Sequence, residues 1–312
     1  MAYALELGEN LVGVTHECDF PAEARSKPAV VRNALPIETM TQREIDSAVA
    51  DRLRQGLSLY ELDAALIEEL SPDLIITQSL CDVCAPSGNE IAKLLERLSK
   101  KPEILWMTPR NLSEIAENVD SLGAATGRQA EARTLLEQWR SRLEVVQERS
   151  ALAAYRPRVF CMEWLDPVYC SGHWVPEMVR LAGGIDGLGR EGGDSVRITW
   201  DQVLDWAPEV LVFMPCGYAL QAATEQAAGL AALPGFGTVP AVRGGKVYAV
   251  DASAYFARPG PRVVEGTELL AHLIHPGLFQ WDRSFEGSRL INLHPVKGMG
   301  SGSDVIASAH LH

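Results

Sequence analysis

The sequence predicts an α/β protein of two similar lobes joined by one long helix. Three observations carry this reading. Short apolar runs alternate with amphipathic segments, the pattern of parallel strands with helical crossovers. The segment Leu70-Ser-Pro-Asp-Leu-Ile-Ile76 is echoed by Trp206-Ala-Pro-Glu-Val-Leu-Val212, so a similar unit occurs twice. Between the copies, Leu135, Leu136, Trp139, Leu143 and Val146 draw one apolar stripe along a helix over roughly residues 128–150.

Taken in order, strands are expected at residues 11–15, 74–77, 104–107, 159–163, 210–214 and 247–250, each an apolar run bounded by turn or polar residues. Helix starts are marked at Thr41-Gln-Arg-Glu44, Ser87-Gly-Asn-Glu90 and Thr199-Trp-Asp-Gln202. In this pattern a hydroxyl and a carboxylate or amide each satisfy an otherwise unpaired backbone N–H. In both echoed segments a helix stops, Pro blocks its continuation, an acid follows and a buried strand begins. The expected organisation is a first lobe over 1–127, a connecting helix over 128–152 and a second lobe over 153–276. Residues 277–312, with a Gly/Ser-rich stretch at 298–303, are predicted to form a loosely ordered tail.

Composition narrows the function. A chain of 312 residues suits about two domains, and 47% apolar residues supply ample core. Lys and Arg number 28 against 41 Asp and Glu, a net charge of −13. That balance argues against nucleic acid as a partner, because phosphate neutralisation supplies most of such affinity. No uninterrupted apolar run of about 18 residues occurs, so no membrane span is predicted. The first ten residues carry Glu6 and Glu9 and no basic residue, unlike a secretion signal. The expected address is cytoplasmic as the sequence stands, and periplasmic if an export signal lies upstream of Met1.

Ligands of open parallel sheets bind beyond the carboxyl ends of the strands. Four cysteines follow predicted strands there: Cys18, the Cys81–Cys84 CxxC pair and Cys216. Together they could form a four-thiolate site for zinc or an iron–sulfur cluster; separately they could be small residues packed in turns. Trp164, His173 and Trp174 follow the fourth strand, and Tyr255 and Phe256 the last. The aromatic rings suit the walls of a pocket or ordinary packing, and His173 suits a metal or hydrogen-bond ligand or a helix-entry residue. Arg258-Pro-Gly-Pro-Arg262 holds two arginines at a helix entrance, with Pro261 expected in the first turn. They could grip a carboxylate or phosphate, or pair with surplus acids on the rim. No GxSxG, Walker loop, HExxH or strand–helix GxGxxG is present, and no acid–base pair of carboxylates stands out. The residues favour holding a ligand over breaking one.

Several longer motifs resemble one family. They are Val12-Gly-Val-Thr-His-Glu-Cys-Asp-Phe-Pro21, Ser58-Leu-Tyr-Glu-Leu-Asp63, Pro72-Asp-Leu-Ile-Ile-Thr-Gln78, Cys81-Asp-Val-Cys84, Glu163-Trp-Leu-Asp-Pro167, Gly172-His-Trp-Val-Pro-Glu177 and Tyr255-Phe-Ala-Arg-Pro-Gly-Pro-Arg262. Over roughly residues 3–279 the chain is similar to the cobalamin-binding branch of the periplasmic iron-siderophore and cobalamin substrate-binding proteins, of the helix-linked class III. The resemblance implies two Rossmann-like lobes, a rigid connecting helix, a corrinoid held in a cleft without catalysis, and an ABC-type importer as partner. It also implies a strand before the segment resembling Tyr3–Gly8. That element does not precede Tyr3 in this sequence: either the true start lies upstream of Met1, or the first strand is lacking, in which case the first lobe is expected to show unpaired backbone and a cavity. On this reading Trp164, His173, Trp174 and Tyr255 meet the ligand ring, and Arg258 and Arg262 its anionic periphery. The alternative is a cytosolic metal or iron–sulfur protein on the same scaffold, with Cys18, Cys81, Cys84 and Cys216 as ligands.

Overall fold

The computed structural model describes residues 1–78, 88–281 and 286–291 and divides into two compact units, residues 1–137 and 138–312. The boundary falls inside the long helix, so residues of that one helix belong to both units.

Unit 1 runs through β1 (Val14–Thr15), β2 (Ala29–Asn33), α1 (Gln42–Arg54), β3 (Tyr60–Leu62), α2 (Ala64–Leu70), β4 (Leu74–Thr77), α3 (Gly88–Arg97), β5 (Glu103–Trp106), α4 (Leu112–Thr126) and the start of α5 (Gln129–Ser150). The capping box at Thr41 forms: Thr41 Oγ1 accepts from the Glu44 N–H at 3.3 Å, and the Thr41 N–H donates to Glu44 Oε2 at 2.8 Å. The box at Ser87 lies outside the described residues. β1 pairs parallel with β2, and β3 pairs antiparallel with β2. β4 and β5 form a separate parallel pair. A small apolar cluster of Ile67, Leu94 and Leu98 joins the two sheets, taking Val30 and Leu62 from one and Ile75 from the other.

Unit 2 continues with β6 (Arg158–Trp164), β7 (Tyr169–Cys170), β8 (Gly172–His173), α6 (Val175–Leu181), β9 (Ile185–Asp186), β10 (Arg190–Glu191), α7 (Trp200–Trp206), β11 (Val210–Phe213), α8 (Leu220–Ala227), α9 (Pro240–Arg243), β12 (Val247–Val250), α10 (Ala252–Tyr255), α11 (Val263–Ile274) and β13 (Ser288–Leu290). Its main sheet has the order β13-β12-β11-β6-β7, with β9 beside the start of β6. β6, β11 and β12 are mutually parallel. Phe160, Met162, Leu211, Phe213, Val247 and Ala249 from these strands meet Ala223, Ala227 and Leu230 in the main core.

The echoed segments fold alike up to a point. α2 ends at Leu70 with Ser71 at φ +45°, and α7 ends at Trp206 with Ala207 at φ +49°. In each, the left-handed residue and the following Pro break the helix and turn the chain into a strand. The strands then differ. β11 lies between β6 and β12, and Val210–Phe213 are buried throughout. β4 pairs, among the described residues, with β5 alone, and Ile76 is 40% exposed. No described strand in unit 1 takes the place that β6 takes in unit 2. A cavity of about 740 Å³ opens beside β2, β3 and α2, lined by Val30, Arg32, Glu61, Leu62, Glu68 and Arg97 among others.

The structure corrects several expectations. The strand expected over 11–15 shrinks to Val14–Thr15, because Leu11 still closes a 3-10 turn, its N–H donating to Gly8 O at 3.4 Å. Residues 277–291 are not a loose tail where described. Phe279 is buried, Trp281 packs edge-on against Tyr255 at 6.0 Å, and β13 pairs antiparallel with β12. The Gly/Ser stretch at 298–303 lies outside the described residues. Among the described residues no helix is long and apolar enough to cross a membrane.

Candidate ligand site

The site builds from the carboxyl ends of the unit 2 strands. Cross-links between loops bring these ends together: the Cys216 N–H donates to Glu163 O at 3.2 Å, the Ser253 N–H to Tyr218 O at 3.2 Å, and Trp174 Nε1–H to Phe256 O at 2.8 Å. Trp164 closes β6 and meets Tyr218, from the loop after β11, in an edge-to-face pair with centroids 5.7 Å apart. Both rings are half-buried, so this pair presents aromatic surface beside the strand ends.

His173 ends β8 at φ +51°, a left-handed conformation that few non-glycine residues adopt. Three contacts impose it. The His173 N–H donates to Gly193 O at 2.6 Å, its carbonyl accepts from the Gly192 N–H at 2.9 Å, and Nε2 lies 3.2 Å from Asp194 Oδ1. Backbone strain of this kind persists where surrounding contacts over-determine it, and such residues cluster at functional sites.

Trp174 behaves differently from an open pocket wall. It is buried, it precedes α6 at the N-cap position, and its indole is anchored to the Phe256 carbonyl. Its ring meets that of His173 with centroids 5.5 Å apart and planes tilted by 37°, so this anchored indole backs the imidazole. Tyr255 is likewise mostly covered, and burial pushes its phenol upward against the lowering effect of Arg262. The Arg262 guanidinium lies 5.3 Å from the Tyr255 ring centroid, a cation–π distance. Arg262 is the N-cap of α11, so Pro261 stands just before the helix and not in its first turn as expected. Arg258 is half-exposed on the connection between α10 and α11.

The thiols divide. Cys18 is exposed after β1, with its sulfur 3.5 Å from Thr15 Oγ1, and Cys216 is exposed after β11. They belong to different units. Cys81 and Cys84 lie outside the described residues. Among the described residues no group of three or more His, Cys, Asp or Glu is placed to hold a metal ion. Cys161 and Cys170 are free and buried, and burial raises both thiols, keeping them neutral.

Sequence reasoning missed two carboxylates beneath the site. Glu163 accepts from the Gly172 N–H at 3.1 Å with Oε1 and from the Ser195 hydroxyl with Oε2. Burial, helped by the nearby Asp186 charge and resisted by those two bonds, pushes Glu163 up to about 7. Asp186 accepts from Ser171 Oγ at 2.7 Å and from the Gly189 and Leu188 N–H groups at 2.8 and 3.2 Å. Burial raises it as well, against these bonds.

The carboxyl ends of β6 and β11 thus carry the Trp164–Tyr218 pair, while His173 ends β8 in a separate two-stranded sheet with β10. The chain belongs to the periplasmic binding protein family, whose model (Peripla_BP_2) matches residues 1–254. It is therefore a substrate-binding protein and not an enzyme. It is 24% identical over 271 residues to the vitamin B12-binding protein of Vibrio cholerae, covering 86% of this chain and 82% of that one. It is 23% identical over 285 residues to the ABC transporter substrate-binding lipoprotein YvrC of Bacillus subtilis, covering 90% and 78%. Among solved structures, the periplasmic vitamin B12 binding protein BtuF of Vibrio cholerae matches with a TM-score of 0.64 at 23% identity, over 89% of this chain and 93% of that one. A periplasmic heme binding protein of Pseudomonas aeruginosa matches with a TM-score of 0.67 at 21% identity, over 90% of each chain. The α/β fold is thus that of the class III periplasmic binding proteins.

Proposed function

We propose that this protein carries a corrinoid of the cobalamin type to an ABC importer on the outer side of the cytoplasmic membrane. The observation that carries the reading is the edge-to-face pair of Trp164 and Tyr218 at the carboxyl ends of β6 and β11; to it the reading adds the imidazole of His173, which ends β8. A corrinoid is a broad, partly apolar ring with a central metal and polar amides, so it asks for these three things. The flat ring lies against aromatic surface, His173 faces the metal or an amide, and Arg258 and Arg262 take anionic groups. The names of the relatives support the class, since they include vitamin B12-binding and transporter-associated proteins. Haem shares much of this chemistry, and the heme-binding neighbour makes it the cargo to compare.

Calorimetric titration with cyanocobalamin and, separately, hemin tests the reading. Cyanocobalamin is expected to bind at micromolar affinity or tighter, and Trp164→Ala to weaken it about tenfold by removing a stacking face. Tighter binding of hemin than of cyanocobalamin would move the cargo to haem. Absence of heat with both would refute the tetrapyrrole class.

A further inference from the structure

We propose that Glu163 is the positioning residue of the cargo site, clamping the Gly172–His173 strand to the loop over residues 189–195 so that the imidazole is held in one geometry. This rests on the cargo reading above for its functional half; the clamp itself rests on the contacts. Glu163 sits at the carboxyl end of β6, next to Trp164, yet its bonds go to residues 9 and 32 positions away. One oxygen takes the N–H immediately before His173, and the other takes the hydroxyl of Ser195. The two clamped segments touch so closely that a Cβ on Gly172 would press against the Ser195 nitrogen and lie 2.7 Å from Gly193 O. Gly193 O is in turn the acceptor of the His173 N–H. The chain of contacts therefore runs Glu163, Ser195 and Gly193, then His173, and back through Gly172 to Glu163. Trp174, whose ring centroid lies 5.5 Å from that of the imidazole, is itself anchored by its bond to Phe256.

The charge of Glu163 matters to this device. An ionised carboxylate accepts from both donors at once, whereas a protonated one must spend an oxygen as a donor, and Ser195 has to turn. The titratable and charged groups around it are Asp186 at the end of β9, the thiols of Cys161 and Cys170 on the same sheet, and His173, Asp194 and Arg190 on the two clamped segments. The folded-state value of about 7 lies above the ordinary 4.5. The stability contribution of the neutral form is therefore present below about 4.5 and lost as pH rises through about 7. Ionisation costs stability and tightens the clamp.

The test uses the intact protein, first without cargo. The Gly172 amide resonance is followed by NMR between about pH 5.5 and 8, in wild type and in Glu163→Gln. It is expected to titrate near neutrality in wild type and to be flat in the variant. Glu163→Gln is also expected to melt a few degrees above wild type at about pH 8, which shows that it folds. Cyanocobalamin affinity is then measured across the same range. Wild type is expected to lose about tenfold on acidification, and Glu163→Gln to hold the weaker value throughout. A Glu163→Gln protein with wild-type affinity and wild-type pH slope overturns the proposal, and assigns the slope to His173 or another group. A Gly172 amide that does not titrate overturns it too. If the amide titrates as expected but neither cyanocobalamin nor hemin binds, the cargo reading fails and the clamp stands.

Discussion

Replacing Gly172 with alanine is expected to cut cargo affinity roughly 100-fold and to destabilise the protein by about 1–3 kcal/mol, the usual range for overpacking. The added methyl would meet the Ser195 nitrogen, Gly193 O at 2.7 Å and the Asp194 carbonyl carbon at 2.8 Å. All three are backbone atoms, so no side-chain rotation can make room. The relief must come from separating β8 from the 193–195 loop. That movement breaks the Ser195 bond to Glu163 and the 2.6 Å bond from His173 to Gly193. Gly237→Ala is the control, since a methyl there meets nothing within 4 Å. Calorimetric affinity and the chemical unfolding midpoint check both effects. Wild-type affinity in Gly172→Ala would show that the clamped geometry does not matter to binding.

Backbone amides of β4 are expected to exchange with solvent at least about 100-fold faster than those of β11, as locally less protected units do. The echoed segments make this a controlled comparison within one chain. In a parallel sheet, successive amides of a strand serve neighbours on alternate sides. β11 has β6 and β12 to receive them; β4 has, among the described residues, β5 alone. Burial points the same way, with Val210–Phe213 covered and Ile76 40% exposed. Native-state hydrogen exchange read by mass spectrometry on peptides covering 74–77 and 210–213 measures the difference. Equal protection would mean that β4 has a second strand partner.

The parts legible in the sequence were those encoded locally. β4 and β12 fall where expected because Leu74-Ile75-Ile76 and Val247–Val250 are short apolar runs bounded by polar or turn residues. The helix starts at Thr41 and Thr199 were readable because a capping box spans four residues. β2, β3 and β13 escaped because Ala29–Asn33, Tyr60–Leu62 and Ser288–Leu290 are short and mixed in polarity. They become strands through pairing with partners elsewhere in the chain. The same reason hid Glu163. A lone acid ending an apolar strand reads as a boundary, and its partners at Gly172 and Ser195 follow no fixed spacing. Trp164, His173, Trp174, Tyr255 and Arg262 were singled out because residues that follow the strands of a parallel sheet are expected at one edge. That rule cannot say which rings are covered, so the burial of Trp174 and Tyr255 emerged only in the fold.

The central claim is that cargo binds at the carboxyl edge of the unit 2 sheet. Hydrogen exchange with and without saturating cyanocobalamin tests it most directly. Slower exchange is predicted in peptides containing Trp164, Gly172–Trp174 and Cys216–Tyr218. Binding by calorimetry with unchanged exchange in all three would place the ligand elsewhere and contradict the claim.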